Sequence, residues 1–99
     1  MKTARRELVN WVAVQPYYKI NRIVDGIEQR TEEQGREMFL YEDRIVTKYR
    51  EFPIRQVFDL SYRPMGDGGG FLYLHTQQGV YSYTVKEDPG SFISAFKNL

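Results

Sequence analysis

One histidine and no cysteine narrow the chemistry open to this 99-residue chain. His75 could act as a general acid or base only with a carboxylate or nucleophile held beside it. It stands in Phe71-Leu72-Tyr73-Leu74-His75-Thr76, where alternation puts Phe71, Tyr73 and His75 on one face of a strand. A structural or surface histidine is the simpler reading; a small enzyme built on His75 is the rival, and no catalytic residue is assigned. Without cysteine there is no disulfide framework, thiolate site or cysteine nucleophile, and no ligand spacing suits structural zinc. Glu28, Glu32, Glu33, Glu37, Glu42 and Asp43 could hold a hard cation. They alternate with Arg30, Arg36 and Arg44, which reads as a solvated, charge-balanced surface. Gly66-Asp67-Gly68-Gly69-Gly70 resembles a phosphate cradle in composition alone. A cradle needs a strand before the glycines and a helix after them; here a strand follows, without Gly-Lys-Ser/Thr. No metal and no cofactor are expected.

The basic residues carry the strongest binding signal. Arg44, Lys48 and Arg50 share one parity of a β-rich run, and Arg55 follows across a short connection. On one strand face they would cluster beside an exposed Phe52 as an anion- or partner-binding surface. Glu42, Glu51 and Asp59 lie near enough in sequence to neutralise them, so a plain solvated face competes with that reading. Fourteen Lys and Arg against thirteen Asp and Glu leave a net charge of +1, too little for a global field toward nucleic acid. Interleaved aromatics and cations suit single-stranded nucleic acid, yet the low charge and lack of an RNP-like motif argue against it. Eight tyrosines, six phenylalanines and Trp11 are expected to fill the thin interior of a small β-rich domain.

The elements that must position these residues are clearest in the second half. Met38–Tyr41 and Arg44–Arg50 read as strands around a Glu42-Asp43 turn, with Phe52-Pro53 as an interruption. From Ile54 the period is two: Ile54, Gln56, Phe58, Leu60 and Tyr62 fall on one side, Arg55, Val57, Asp59, Ser61 and Arg63 on the other. Strands over 71–76 and 80–85 flank a Gln77-Gln78-Gly79 turn. The period then changes. Asp88 is expected to cap a helix with Pro89 at its first position, and Phe92, Ile93, Phe96 and Leu99 form its apolar stripe. Residues 17–37 fit strand and helix templates alike; strand is favoured for 18–28, and Thr31-Glu32-Glu33-Gln34-Gly35 reads as a connection. Residues 1–16 read as an N-terminal strand or arm. The apolar stretch Leu8–Val14 is too short to cross a bilayer and lacks a cleavage site, which favours a cytoplasmic location.

This order resembles the bacterial pleckstrin-homology-like (PH-like) domains over roughly residues 36–98. The resemblance rests on Phe39-Leu40-Tyr41-Glu42-Asp43-Arg44-Ile45-Val46, Phe52-Pro53-Ile54-Arg55-Gln56-Val57, Phe71–Thr76 before Gly79-Val80-Tyr81, and Asp88-Pro89-Gly90-Ser91-Phe92-Ile93. It implies an α+β, mainly β fold: an antiparallel meander of about six or seven strands, formed as a barrel of two roughly orthogonal sheets and capped by one C-terminal helix (88–99). Residues 1–99 would make one domain. Eukaryotic relatives often bind phosphoinositides through basic residues near the first hairpin; the nearest segment here, Lys19-Ile20-Asn21-Arg22, departs from that dense spacing.

The functional expectation is a non-catalytic binding or scaffold module that docks a protein or peptide partner through Arg44, Lys48, Arg50, Phe52 and Arg55. The alternative is peripheral attachment to an anionic membrane surface through the same cations, worth ~1 kcal/mol each near a charged surface. Oligomeric state is left open.

Overall fold

The computed structural model describes residues 10–66 and 68–99. It is mainly β: strands β1 (Ala13–Asp25), β2 (Glu28–Leu40), β3 (Arg44–Val46), β4 (Glu51–Pro53), β5 (Val57–Pro64), β6 (Gly70–Thr76) and β7 (Gly79–Val85), then helix α1 (Gly90–Lys97). The seven strands form one antiparallel sheet in the order β4-β3-β2-β1-β7-β6-β5. The expected meander and closing helix are present. The expected barrel is not: β4 and β5 remain the two edges of an open sheet.

The inner face holds one apolar cluster of Tyr17, Met38, Leu40, Ile45, Phe52, Val57, Leu60, Leu72, Leu74, Val85 and Phe92. A sheet of this size cannot dry its inner face alone, and α1 supplies cover by packing on β1 and β5. Phe92 is its anchor at 1% exposure, with Ile93 and Phe96 half-buried beside it. Leu99, expected in that stripe, lies past the helix end and is half exposed. The cap is also shifted by one residue. Pro89 is the N-cap, and Asp88 Oδ1 accepts from the Gly90 amide at 2.8 Å.

Local chemistry overrides strand parity in three places. Arg44–Arg50 is no continuous strand: β3 stops at Val46, and Thr47 turns the chain, its amide donating to the Arg50 carbonyl at 2.9 Å and its Oγ1 accepting from the Arg50 amide at 3.1 Å. A 3-10 turn over Ile54–Gln56 and a bulge between Val57 and Asp59 break the alternation expected from Ile54. Val57 and Leu60 point inward, and Phe58 is left exposed. Gly70 lets β5 and β6 close together: a Cβ there would lie 2.3 Å from the Arg63 carbonyl oxygen.

The largest departure lies in the ambiguous segment. Residues 31–35 are no connection; they belong to β2, which pairs with β1 from Ala13↔Leu40 out to Asp25↔Glu28. Gly26 (φ 61°) opens the two-residue turn between them. Beyond Tyr18 this hairpin leaves the body, because β7 meets β1 only at Tyr18↔Thr84 and β3 meets β2 only at Phe39 and Leu40. Pro16, which lacks an amide hydrogen, helps confine the β1–β7 ladder to so short a stretch. The seven residues of β1 beyond Tyr18 extend the arm by roughly 23 Å. The radius of gyration is accordingly 15.4 Å, against about 13 Å for a compact chain of this length. The N-terminal expectation is met from Ala13; residues 1–9 lie outside the described residues. No helix among the described residues is long and apolar enough to cross a membrane.

Candidate functional site

The basic face drawn from sequence does not assemble. Arg44 is neutralised where it stands: its Nη1 lies 2.9 Å from Asp43 Oδ1 and its Nε 4.0 Å from Glu51 Oε1, with the guanidinium 4.2 Å from the Tyr41 ring centre. It lines a cleft of about 590 Å³ with Asn10, Tyr41, Glu42 and Asp43, where two carboxylates accompany one cation. Lys48 sits in the Thr47–Arg50 turn rather than on a strand, and its amide donates to the Tyr17 hydroxyl at 3.0 Å. Arg55 is exposed on the 3-10 turn. Phe52, expected to be exposed, is 5% accessible and packs edge-on against Tyr81 at 5.0 Å. Parity along one strand was the only link among these residues, and the turn at Thr47 removes it.

Arg50 belongs to a different group. Where β1 and β7 part, a cleft of about 340 Å³ opens between Tyr17, Tyr18, Lys19 and Ile20 of β1, Arg36 of β2, Thr47, Tyr49 and Arg50 of the β3–β4 turn, and Ser82, Tyr83 and Thr84 of β7. Tyr17, Lys19, Arg36 and Tyr83 carry the parity of the buried residues on their strands, so the cleft continues the inner face beyond the core. Its charge is one-signed: the lining holds Lys19, Arg36 and Arg50 and no carboxylate. None of these three cations pairs with a carboxylate among the described residues.

Aromatic rings hold two of the cations in place. The Arg50 guanidinium lies 4.8 Å from the Tyr81 ring centre and that of Arg36 5.2 Å from Tyr49. Arg36 Nη2 also donates to Gln34 Oε1 at 2.9 Å. The floor is made of phenols, with Tyr17 and Tyr83 edge-to-face at 5.1 Å. Burial pushes the Tyr83 phenol up from its ordinary value, against a hydrogen bond from Thr47 that pulls the other way. One wall is tied down by charge. The Tyr18 hydroxyl donates to Glu87 at 2.9 Å, which raises its pKa, and Lys86 bonds to Glu33 across the arm base, which raises its own. Chemically the cleft offers fixed cations, hydroxyl groups and an aromatic floor, which together suit an anionic group on a small or extended ligand.

Two residues carry chemistry that the sequence does not mark, Arg36 in the cleft and Ser61 away from it. In the sequence Arg36 reads only as a neutraliser of acids; its place in the cleft follows from the Tyr17↔Arg36 register of β1 with β2. Ser61 lies beside His75, its Oγ 2.7 Å from His75 Nε2 across β5 and β6. The bulge after Val57 sets that register, and nothing in the sequence marks it. Among the described residues no carboxylate is hydrogen-bonded to the His75 ring, so this pair lacks the third group that orients a catalytic imidazole. The acidic residues behave as expected of a solvated surface, with Arg30–Glu32 at 3.5 Å and Lys86–Glu33 in contact. No group of three metal-ligating side chains occurs among the described residues. No family model, curated protein or solved structure matches this chain.

Proposed function

We propose that this protein is a non-catalytic binding module whose cleft between β1, β7 and the β3–β4 turn seats an anionic group carried by a protein or peptide segment. The observation that carries this reading is the lining itself: three cations without a carboxylate, in a protein of net charge +1. In a chain so evenly balanced, local segregation of charge costs stability through repulsion, and an anionic ligand relieves it. About 340 Å³ is at the small end of ligand sites and accommodates one or two side chains. The PH-like resemblance belongs with this proposal. An open meander with a helix at its C-terminal end supports it, and the missing barrel closure counts against it.

Calorimetric titration with a blocked tetraglutamate peptide tests the reading. Binding should weaken as salt rises and fall by about tenfold in Arg50→Gln or Arg36→Gln. Arg44→Gln should leave it unchanged, because Arg44 is already paired. Equal binding by all three variants would overturn the assignment. Binding to phosphatidylserine vesicles, without binding to the peptide, would favour attachment to an anionic membrane surface instead.

A further inference from the structure

The arm has two free edges, and the β1 edge alone adds exposed aliphatic residues to its charges. The outer edge of β2, from Glu28 to Arg36, carries Glu28, Arg30, Glu32, Glu33 and Arg36, and charges of this kind keep an edge from pairing. The β1 edge beyond Tyr18 carries Ile20 and Val24, both exposed, the latter at 64%. The ladder decides which backbone groups it offers. A two-residue turn closes Asp25 on Glu28, so Asp25, Ile23 and Asn21 turn their amides and carbonyls toward β2. Ile20, Arg22 and Val24 turn theirs to the open side, the same side on which Tyr18 meets β7.

We propose that this edge pairs with the same edge of a second copy of the chain, antiparallel about a two-fold axis through Arg22. In that register Ile20 faces Val24 of the second copy on one side of the ribbon, and Lys19 faces its Asp25 on the other. Symmetry makes each contact twice. The neighbouring registers that keep the hydrogen-bond parity set Arg22 against Ile20 or Val24 and separate Lys19 from Asp25. The pairing deepens the functional reading and rests on it. Lys19 lines the cationic cleft, so the tip carboxylate of the second copy arrives at the margin of a site that holds three cations and no acid. One contact is repulsive: Arg22 meets its own copy on the axis.

Sedimentation equilibrium of the full chain up to about 1 mM tests the pairing, with every variant placed at an exposed arm position that buries no side chain. A monomer–dimer equilibrium is expected. Val24→Lys should weaken it by about tenfold or more, and Arg22→Thr should tighten it severalfold by removing the like-charge contact. Asp25→Lys should weaken it, and Lys19→Asp with Asp25→Lys should restore it. A chain that stays monomeric, in wild type and Arg22→Thr alike, overturns the pairing, as does a dimer indifferent to Val24→Lys. The two readings fail separately. A monomer that still binds tetraglutamate with loss in Arg50→Gln overturns the pairing alone. A dimer obeying these variants in a protein that ignores tetraglutamate overturns the cleft as a general anion site.

Discussion

The body and the arm are built from the same two strands by different rules. Within the body, β1 and β2 contribute Tyr17, Met38 and Leu40 to the core, and every second residue is dry. In the arm, from Lys19 to Gly35, the same strands continue with both edges free and no buried residue. Backbone hydrogen bonding rather than burial sustains the strands there, helped by the Gly26 turn and the ties of Lys86 to Glu33 and Tyr18 to Glu87 at the base. The comparison teaches where burial resides. It holds the body together, and the arm carries only exposed and half-buried residues beyond it, with the cationic cleft at their junction.

Removing the helix anchor should cause the largest effect. Phe92→Ala leaves a cavity under α1 and should cost about 3–5 kcal/mol, read as a lower urea midpoint. Gly70→Ala should follow, at about 1–3 kcal/mol, because its new methyl group collides with the β5 backbone. Alkaline pH should cause a moderate loss. Burial raises the Tyr83 pKa, so the fold favours the protonated phenol. That stabilisation is present in full below the ordinary value of about 10 and is lost as pH rises through the raised value. Tm should therefore fall as pH rises above about 10, and the fall should be shallower in Tyr83→Phe. The smallest effect should come from the arm. Replacing residues 22–31 by Asn-Gly, which closes the hairpin on the hydrogen-bonded pair Asn21↔Glu32, should change stability by less than about 1 kcal/mol, since no buried side chain is removed. A large loss would mean that the arm holds the body together and would break the comparison.

Legibility in the sequence follows the same division. The meander and closing helix could be read because Leu72, Leu74, Val85 and Phe92 sit in patterns that burial imposes. The arm could be read in part: its first strand falls within the 18–28 span favoured as strand, whereas residues 28–35 have no buried face to impose a period, and the Asp25-Gly26 pair is the one local signal of the turn. The site failed for another reason. Only strand parity joins Arg44, Lys48 and Arg50 in the sequence, and a turn at Thr47, closed by backbone and side-chain bonds to Arg50, ends the strand. Lys19, Arg36 and Arg50 come together only through the β1–β2 register and the parting of β1 from β7, which are properties of pairing rather than of any one segment.

The central claim is that anions are bound at the parting of β1 and β7. The most direct measurement is an amide chemical-shift titration of the full chain with tetraglutamate at low salt. The expected result is saturable movement at Lys19, Arg36, Thr47, Arg50, Ser82 and Thr84, with Arg44 and Arg55 unmoved. Movement centred on Arg44 and Arg55 instead, or none at any of these positions, would contradict it.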